Sequence, residues 1–146
     1  MIQLKVKKLH PYAKMPERAT EDSACFDVST TGSDFMSEGE EDDSVVIYNT
    51  GLAFEVPKNH TMLIFPRSSV YKTGQMLANG VGVLDSDYRG ELKVLMKVVS
   101  GRLEIYNPGD RVAQIMILPL PKVEIQEVNT LSETVRGDGG FGSTGK

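Results

Sequence analysis

Short runs in which apolar and polar residues alternate, separated by Gly, Pro, Asn and Asp, recur along this chain of 146 residues. Alternation with a period of two is typical of half-buried strands, because successive side chains of a strand point to opposite faces. Residues 68–74 lack this pattern and are predicted to form a short helical turn. Many short strands with few helices favour an all-β sandwich or barrel. The predicted strands are 2–6, 45–48, 51–56, 61–65, 91–99, 102–106, 111–118 and 123–128.

Length and composition narrow the class of protein. A chain of 146 residues suits one domain, and 40% apolar with 25% charged residues is ordinary for a globular fold. No stretch approaches the roughly 18 apolar residues that a membrane span needs, and the first residues lack a secretory signal. We therefore expect a cytoplasmic protein (in the host cytoplasm if the chain is viral), neither secreted nor bound to a membrane. The lone Cys25 excludes an intramolecular disulfide and a cysteine-based zinc cluster.

The formal net charge of −4 argues against a protein that coats nucleic acid, so we expect no nucleic-acid polymer as a partner. The charge is unevenly distributed. Residues 19–57 hold ten of the twenty acidic residues and no Lys or Arg, whereas residues 58–146 hold eleven basic and nine acidic residues. An anion-binding site is therefore expected in the second of these segments.

Two segments differ from the rest in composition. Residues 33–44 carry six acidic side chains in twelve positions and are interpreted as a solvated loop inserted in the domain, without an ordered pattern of calcium ligands. Residues 136–146 contain five glycines and cannot form regular structure by themselves. This C-terminal segment is either a mobile tail or an arm that orders over a ligand through Arg136 and Phe141.

Glycine-spaced apolar residues flank two aspartates within the segment 79–91, a pattern that predicts a hairpin with close backbone approach. In extended chain Asp85 and Asp87 would share a face, and two adjacent carboxylates could activate a water or help to hold a metal. The alternative is that both aspartates only favour a turn and pair with Arg89.

A pattern suited to phosphate begins where one apolar strand is predicted to end. Arg67 supplies a forked set of donors, and the hydroxyls of Ser68 and Ser69 follow it directly. The segment 109–114 adds a second arginine and the amide of Gln114 at the start of another apolar strand. The alternatives are a surface arginine beside a helix start and a turn at a strand edge.

Five segments, taken in order, resemble the trimeric dUTP pyrophosphatases (dUTPases). They extend over nearly the whole chain beyond residue 23 and end in the glycine-rich segment. Cys25 and Phe26 depart from the family pattern, which usually has Gly and Tyr at these positions. The five segments are 24–28 (ACFDV), 66–69 (PRSS), 79–91 (NGVGVLDSDYRGE), 109–114 (GDRVAQ) and 136–145 (RGDGGFGSTG).

This resemblance implies a jelly-roll-like β-barrel or sandwich with one short helix and a flexible, glycine-rich C-terminal arm. Residues 1–135 would form the β domain with its acidic insertion at 33–44. Residues 136–146 would form an arm that closes over the active site of a neighbouring subunit in a homotrimer. The implied reaction is Mg²⁺-assisted hydrolysis of dUTP to dUMP and pyrophosphate, which keeps uracil out of DNA and supplies dUMP for thymidylate synthesis.

The resemblance also implies a role for each matching residue. Asp85 would be the catalytic general base that takes a proton from the water attacking the α-phosphorus, and Asp27 would support Mg²⁺ through water. Asn79 and the backbone at Gly82 and Val83 would bind uracil. The other implied substrate-binding residues are Tyr88 against the deoxyribose, Arg67, Ser68, Ser69 and Gln114 on the phosphates, and Arg136, Phe141, Gly142, Ser143 and Thr144 from another subunit's arm, with Phe141 over the uracil.

Two other functions remain open from the residues. The dCTP deaminases share the fold and the Arg-Ser-Ser segment, but they usually lack the Asp-Ser-Asp-Tyr segment and rely on a glutamate near the hairpin. A nucleotide-responsive binding protein, in which the arm or residues 33–44 contact a regulator, is a non-enzymatic alternative that is compatible with catalysis.

Overall fold

The computed structural model describes residues 2–37, 44–99, 101, 103–141 and 143. Within these residues, nine strands and one 3₁₀ helix of residues Ser68–Lys72 form two antiparallel sheets. The all-β, jelly-roll-like class that the sequence predicts is confirmed, as is its short helical turn. The strands are β1 Lys5–Lys8, β2 Phe26–Ser29, β3 Gly32–Ser37, β4 Ser44–Glu55, β5 His60–Pro66, β6 Gln75–Leu77, β7 Gly82–Leu84, β8 Glu91–Val98 and β9 Arg111–Pro119.

The two sheets face each other across one hydrophobic core. In the first sheet β4 pairs with β8 and β8 with β6, while β1 and β3 pair with successive parts of β4. The second sheet has the order β2-β9-β5-β7. Alternate residues of the strands point into the core, so that Val46, Tyr48, Val94 and Ile115 are buried there while their neighbours face outward. No helix in the described residues is long and apolar enough to cross a membrane.

The central strand β4 is continuous, although the sequence pattern predicts two strands, 45–48 and 51–56. The pairing register with β8 shifts between Asn49 and Ala53, as in a β-bulge. Gly51 lies in this bulge with a φ of 65°, and its N–H donates to Oε1 of Glu91 at 2.7 Å. Thr50 Oγ1 donates to the carbonyl of Leu92 at 2.6 Å. These bonds hold the irregular backbone to β8, so the strand continues through it.

Two predicted strands are wrong. Residues 103–106 form no strand, because their backbone bonds go elsewhere: the N–H of Glu104 donates to the carbonyl of Thr73, and the N–H of Tyr106 donates to the hydroxyl of Tyr48. Residues 123–128 form no strand and have no ladder partner among the described residues, and Ile125 is 94% exposed. A strand at these positions would have to pair with the edge of a sheet, and no described strand of the chain pairs with it.

Two predicted connections are also corrected. Residues 33–37 of the expected acidic loop belong to β3, which pairs with β4, and residues 38–43 lie outside the described residues. The segment 79–91 is not a hairpin, since β7 pairs with β5 in one sheet and β8 pairs with β4 and β6 in the other. The residues between β7 and β8 therefore cross from one sheet to the other. The three-residue strands β6 and β7 are too short for alternation to reveal them.

Candidate functional site

A cavity of about 520 Å³ opens between β7 and β8 at the point where the chain crosses between the sheets. Its floor is apolar and comes from both sheets, including Ile64, Leu77 and Leu92. A Cβ on Gly82 would lie 3.0 Å from Cβ of Ile64, so glycine keeps the backbone accessible at this wall. Five of the residues that the sequence assigns to catalysis and to uracil and sugar binding line this cavity: Asn79, Gly82, Val83, Asp85 and Tyr88.

Asp85 follows β7 directly and its side chain is exposed. In the described part of the chain neither Asp85 nor Asp87 makes a salt bridge. The Nη1 atom of Arg89 instead donates to the carbonyls of Ser86 (2.8 Å) and Tyr88 (2.9 Å). The interpretation in which both aspartates pair with Arg89 is therefore wrong. The Asp85 carboxylate remains available at the mouth of the cavity, whereas Asp87 lies in the turn and does not line it.

Tyr88 is folded back over its own turn. Its hydroxyl donates to the carbonyl of Glu91 at 3.2 Å, and its ring passes over Gly90. A Cβ at position 90 would lie 2.2 Å from the Tyr88 hydroxyl oxygen, closer than any two such atoms approach. Only glycine at this position permits the observed tyrosine conformation, and the tyrosine narrows the cavity.

A second, smaller cavity of about 280 Å³ lies at one end of the second sheet, which contains β2, β9 and β5. Arg67 and Ser68 enter it from the end of β5 and the start of the 3₁₀ helix, and Gln114 enters from β9. The side-chain amide of Gln114 donates to the carbonyl of Pro66 at 2.9 Å, which orients it beside Arg67. Ser69 follows in the helix and does not line the cavity. We call this region the phosphate pocket, because its donors are those that the sequence assigns to phosphate.

Asp27 of β2 lies in the phosphate pocket with its side chain 12% exposed. Its Oδ1 accepts from Nε of Arg67 and its Oδ2 from Nη1 of Arg111, both at 3.0 Å. The described residues contain no group of three or more His, Cys, Asp and Glu side chains that could hold a metal ion. A lone carboxylate fits Mg²⁺ only as an ion that arrives with the phosphates and keeps most of its waters.

Sequence reasoning named Arg111 as a second arginine suited to an anion but missed its contact with Asp27, and it gave Cys25 no place at the phosphate pocket. Arg111 pairs with Asp27 from the first position of β9. The two residues are far apart in the chain, so no local pattern signals this contact. Cys25 lines the pocket directly before β2, two residues ahead of Asp27. Burial, and then the negative charge of Asp27, raise the pKa of the Cys25 thiol, so it stays protonated near neutral pH.

The C-terminal arm residues that the structure describes lie outside both cavities. Arg136 Nε donates to the carbonyl of Gly139 at 2.8 Å, Phe141 is fully exposed, and the Ser143 N–H donates to the carbonyl of Gly140. The predicted site residues Gly142 and Thr144 fall outside the described residues. Within one chain, the arm therefore brings none of its described residues to the other site residues.

The two cavities share no described residue, and the sheet register explains why. Leu84 pairs with Met62 of β5, so Asp85 lies level with Thr61, whereas Arg67 follows the opposite end of β5. Six residues of strand separate these levels, which is about 20 Å at the usual rise of a β-strand. This exceeds the reach of the two side chains, so Asp85 and Arg67 of one chain do not meet over one phosphate chain.

Comparison with known proteins places this architecture in a family. The family model described as dUTPase matches residues 11–145. The deoxyuridine 5′-triphosphate nucleotidohydrolase of Nautilia profundicola is 41% identical over 146 residues, covering 99% of this chain and all of its own length.

Two solved structures share the fold. A mutant dUTPase of Staphylococcus bacteriophage 80alpha with dUpNHpp has a TM-score of 0.81 at 24% identity, covering 99% of both chains. A mutant dUTPase of phage phi11 of S. aureus, described with a structural Mg(II) ion, has a TM-score of 0.70 at 23% identity, covering 88% of this chain and 97% of its own. From the family match and the full-length identity together, it follows that this chain belongs to the dUTPase family.

Proposed function

We propose that this protein hydrolyses dUTP to dUMP and pyrophosphate, with Asp85 as the general base that takes a proton from the attacking water. The observation that carries this proposal is an exposed Asp85 carboxylate at the mouth of the β7–β8 cavity, with no salt bridge to any described residue, in a chain of the dUTPase family. General-base catalysis by a positioned carboxylate contributes roughly 10²- to 10⁴-fold to a rate.

The β7–β8 cavity is the proposed nucleoside site. The Asn79 side chain and the backbone at Gly82 and Val83 would pair with the uracil edge, and Tyr88 would lie against the deoxyribose, leaving no room for a 2′-hydroxyl. A site built to pair with uracil rejects cytosine, because the cytosine amine would face a donor that stays unpaired.

The phosphate pocket is the proposed triphosphate site. Arg67, Ser68 and Gln114 support this assignment by their position around one cavity, with Ser69 next in the helix. Bound Mg²⁺, held by the phosphates and through water by Asp27, would supply positive charge that offsets the repulsion between the triphosphate and an acidic protein.

A complete active site then requires more than one copy of the chain, since about 20 Å of β5 separates Asp85 from Arg67. We propose a homotrimer in which one copy supplies the nucleoside cavity and another supplies the phosphate pocket. Exposed apolar residues of the C-terminal segment, such as Ile125 and Leu131, support a contact with another copy. Residues 136–146 would close over a neighbour's site, with Phe141 on the uracil and Arg136, Ser143 and Thr144 on the phosphates.

The substrate assignment is tested by measuring pyrophosphate release from dUTP, dCTP, dTTP and UTP. We expect hydrolysis of dUTP alone at an appreciable rate; similar rates on all four nucleotides would contradict the proposal. Release of ammonia from dCTP would instead indicate a deaminase.

The role of Asp85 is tested with Asp85→Asn. We expect this variant to bind dUpNHpp with nearly unchanged affinity and to lose at least about 10²-fold in kcat, because the carboxylamide cannot accept the proton. Asp87→Asn is the matched control, since Asp87 is two residues away and does not line the cavity. An Asp85→Asn variant with normal turnover would remove Asp85 from the mechanism.

A further inference from the structure

The carboxylate of Asp27 has a structural task that the resemblance does not assign. One of its oxygens accepts from Arg67 and the other from Arg111, at 3.0 Å each. The side chain of Asp27 is 12% exposed, that of Arg67 25%, and that of Arg111 53%. The two arginines therefore share one nearly buried anion, and the group of three carries a net charge of +1.

A bulge in β9 brings Arg111 to this carboxylate. Asp27 pairs with Gln114 and Val28 with Ala113, but Ser29 pairs with Arg111, so Val112 is an extra residue. Both Val112 and Ala113 are consequently buried at 0% exposure. In a regular strand with strict alternation, Arg111 would point into the core with Ala113. The bulge turns it to the outer face, which Asp27 and Gln114 share.

The ion pair with Asp27 uses Nε of Arg67 and leaves the two terminal nitrogens of its guanidinium available. Arg67 contacts Asp27 through Nε, and its Nη1 and Nη2 atoms have no hydrogen-bond partner among the described residues. Arg67 lines the phosphate pocket, whereas Arg111 does not. A carboxylate with both oxygens available would form the two-pronged pair that arginine favours, which would occupy an Nη atom of Arg67 as well as Nε. Arg111 prevents this, because it holds the second oxygen.

We propose that Arg111 is a positioning residue: acting through Asp27, it keeps the Nη atoms of Arg67 directed at the phosphate pocket. This inference rests on the proposed function of that pocket in binding the triphosphate. Asp27 accordingly serves to orient Arg67, in addition to its proposed contact with Mg²⁺ through water.

The test is a double-mutant cycle read out by equilibrium binding of dUpNHpp, with and without EDTA. We expect Arg111→Gln to weaken binding about tenfold or more, the scale for losing one charge-assisted hydrogen bond, with and without metal. Arg111→Lys should recover part of this loss, because its ammonium still donates to Asp27. In an Asp27→Asn background, Arg111→Gln should have no further effect, since the link to Arg67 is already broken.

Arg18→Gln is the matched control for loss of a positive charge near the pocket. Arg18 lies over the ring of Phe26, next to Asp27, but does not pair with Asp27. The thermal unfolding of each variant is measured alongside its binding, to show that the variant is folded. If Arg111→Gln does not fold, Arg111→Lys takes its place in the cycle.

Three outcomes separate the two proposals. Wild-type protein that neither binds dUpNHpp nor hydrolyses dUTP would contradict the proposed function. Wild-type protein that does both, with Arg111→Gln binding equally well, would overturn the positioning role alone. Equal losses from Arg111→Gln in the wild-type and Asp27→Asn backgrounds would also overturn it, because Arg111 would then act on the ligand directly.

Discussion

At the scale of single residues, the shape of the nucleoside cavity depends on Gly90, whose lack of a side chain leaves room for Tyr88. The ring of Tyr88 passes over Gly90, and a Cβ there would lie 2.2 Å from the tyrosine hydroxyl oxygen. Tyr88 must therefore move if any other residue replaces this glycine. Because Tyr88 is proposed to exclude the 2′-hydroxyl, we expect Gly90 to influence sugar selectivity through the position of Tyr88.

Gly90→Ala should consequently reduce the preference for dUTP over UTP. We expect the ratio of kcat/KM for the two nucleotides to fall about tenfold, within the range by which a pocket rejects an added hydroxyl. Gly32→Ala is the control, since a Cβ there meets no atom within 4 Å. An unchanged ratio in Gly90→Ala would show that the position of Tyr88 does not determine sugar selectivity.

Two neighbouring tyrosines, the fully buried Tyr48 and the partly buried Tyr106, differ in their hydrogen bonds. Tyr48 donates to Oε1 of Gln75 at 3.0 Å, and Gln75 is only 3% exposed. The hydroxyl of Tyr106 is buried and has no hydrogen-bond partner among the residues described. The two rings pack edge to face, with their centroids 5.4 Å apart.

Loss of the hydroxyl should therefore lower the free energy of unfolding more at Tyr48 than at Tyr106. We expect Tyr48→Phe to lower the free energy of unfolding by about 1–3 kcal/mol, because it leaves the Gln75 oxygen buried without a donor. Tyr106→Phe should change it by less than about 1 kcal/mol, because no bond is broken. Urea denaturation at one fixed protomer concentration measures both. Equal losses would contradict the assigned hydrogen bonds.

At the scale of elements, the long central strand of the first sheet, β4, passes through a bulge that its hydrogen bonds to β8 hold in place. Gly51 has a φ of 65°, and a Cβ there would lie 2.8 Å from Cβ of His10 and 3.0 Å from Cβ of Ala13. Both a backbone preference and a steric contact thus require glycine. Sequence alternation alone divides the strand at this point, because the bulge interrupts the period of two.

Gly51→Ala should destabilise the fold strongly. We expect a loss of about 2–4 kcal/mol, the sum of backbone strain at a positive φ and overpacking against the N-terminal segment. Gly32→Ala, in the neighbouring strand β3 and with open space around its Cβ, should change stability by less than about 0.5 kcal/mol. Similar melting temperatures for the two variants would show that the bulge carries little strain.

At the scale of the whole molecule, the separation of the two cavities supports the proposal that the active site forms only between copies of the chain. Asp85 and Arg67 lie about 20 Å apart along β5, a distance set by strand register. Two defective chains should then be able to complement each other, since each retains what the other lacks.

Coexpressed Asp85→Asn and Arg67→Gln chains should regain activity that neither has alone. In a cyclic trimer that contains both kinds of chain, about one site in three would combine an intact Asp85 with an intact Arg67. The measurement is pyrophosphate release from differently tagged chains purified through both tags. A mixed assembly without activity would mean that each site is built within one chain.

Local sequence determined much of this protein. Alternation predicted most of the longer strands, because a strand that buries one face needs apolar residues at every second position. Residue types alone predicted Arg67 and Gln114 as candidates for phosphate and Asp85 as a candidate for activating a water, whereas the place of Tyr88 at the deoxyribose came from the dUTPase resemblance. The dUTPase resemblance then ordered these residues into one reaction.

Tertiary structure alone decided which residues meet. The assignment of β7 and β8 to different sheets, the link from Asp27 to Arg67 and Arg111, and the distance from Asp85 to Arg67 all depend on contacts between residues far apart in the chain. Alternation records only that a side chain is buried, and carries no information about its partner. Residues 123–128 show this limit most directly, since their pattern predicts a strand whose partner is absent from the described part of their own chain.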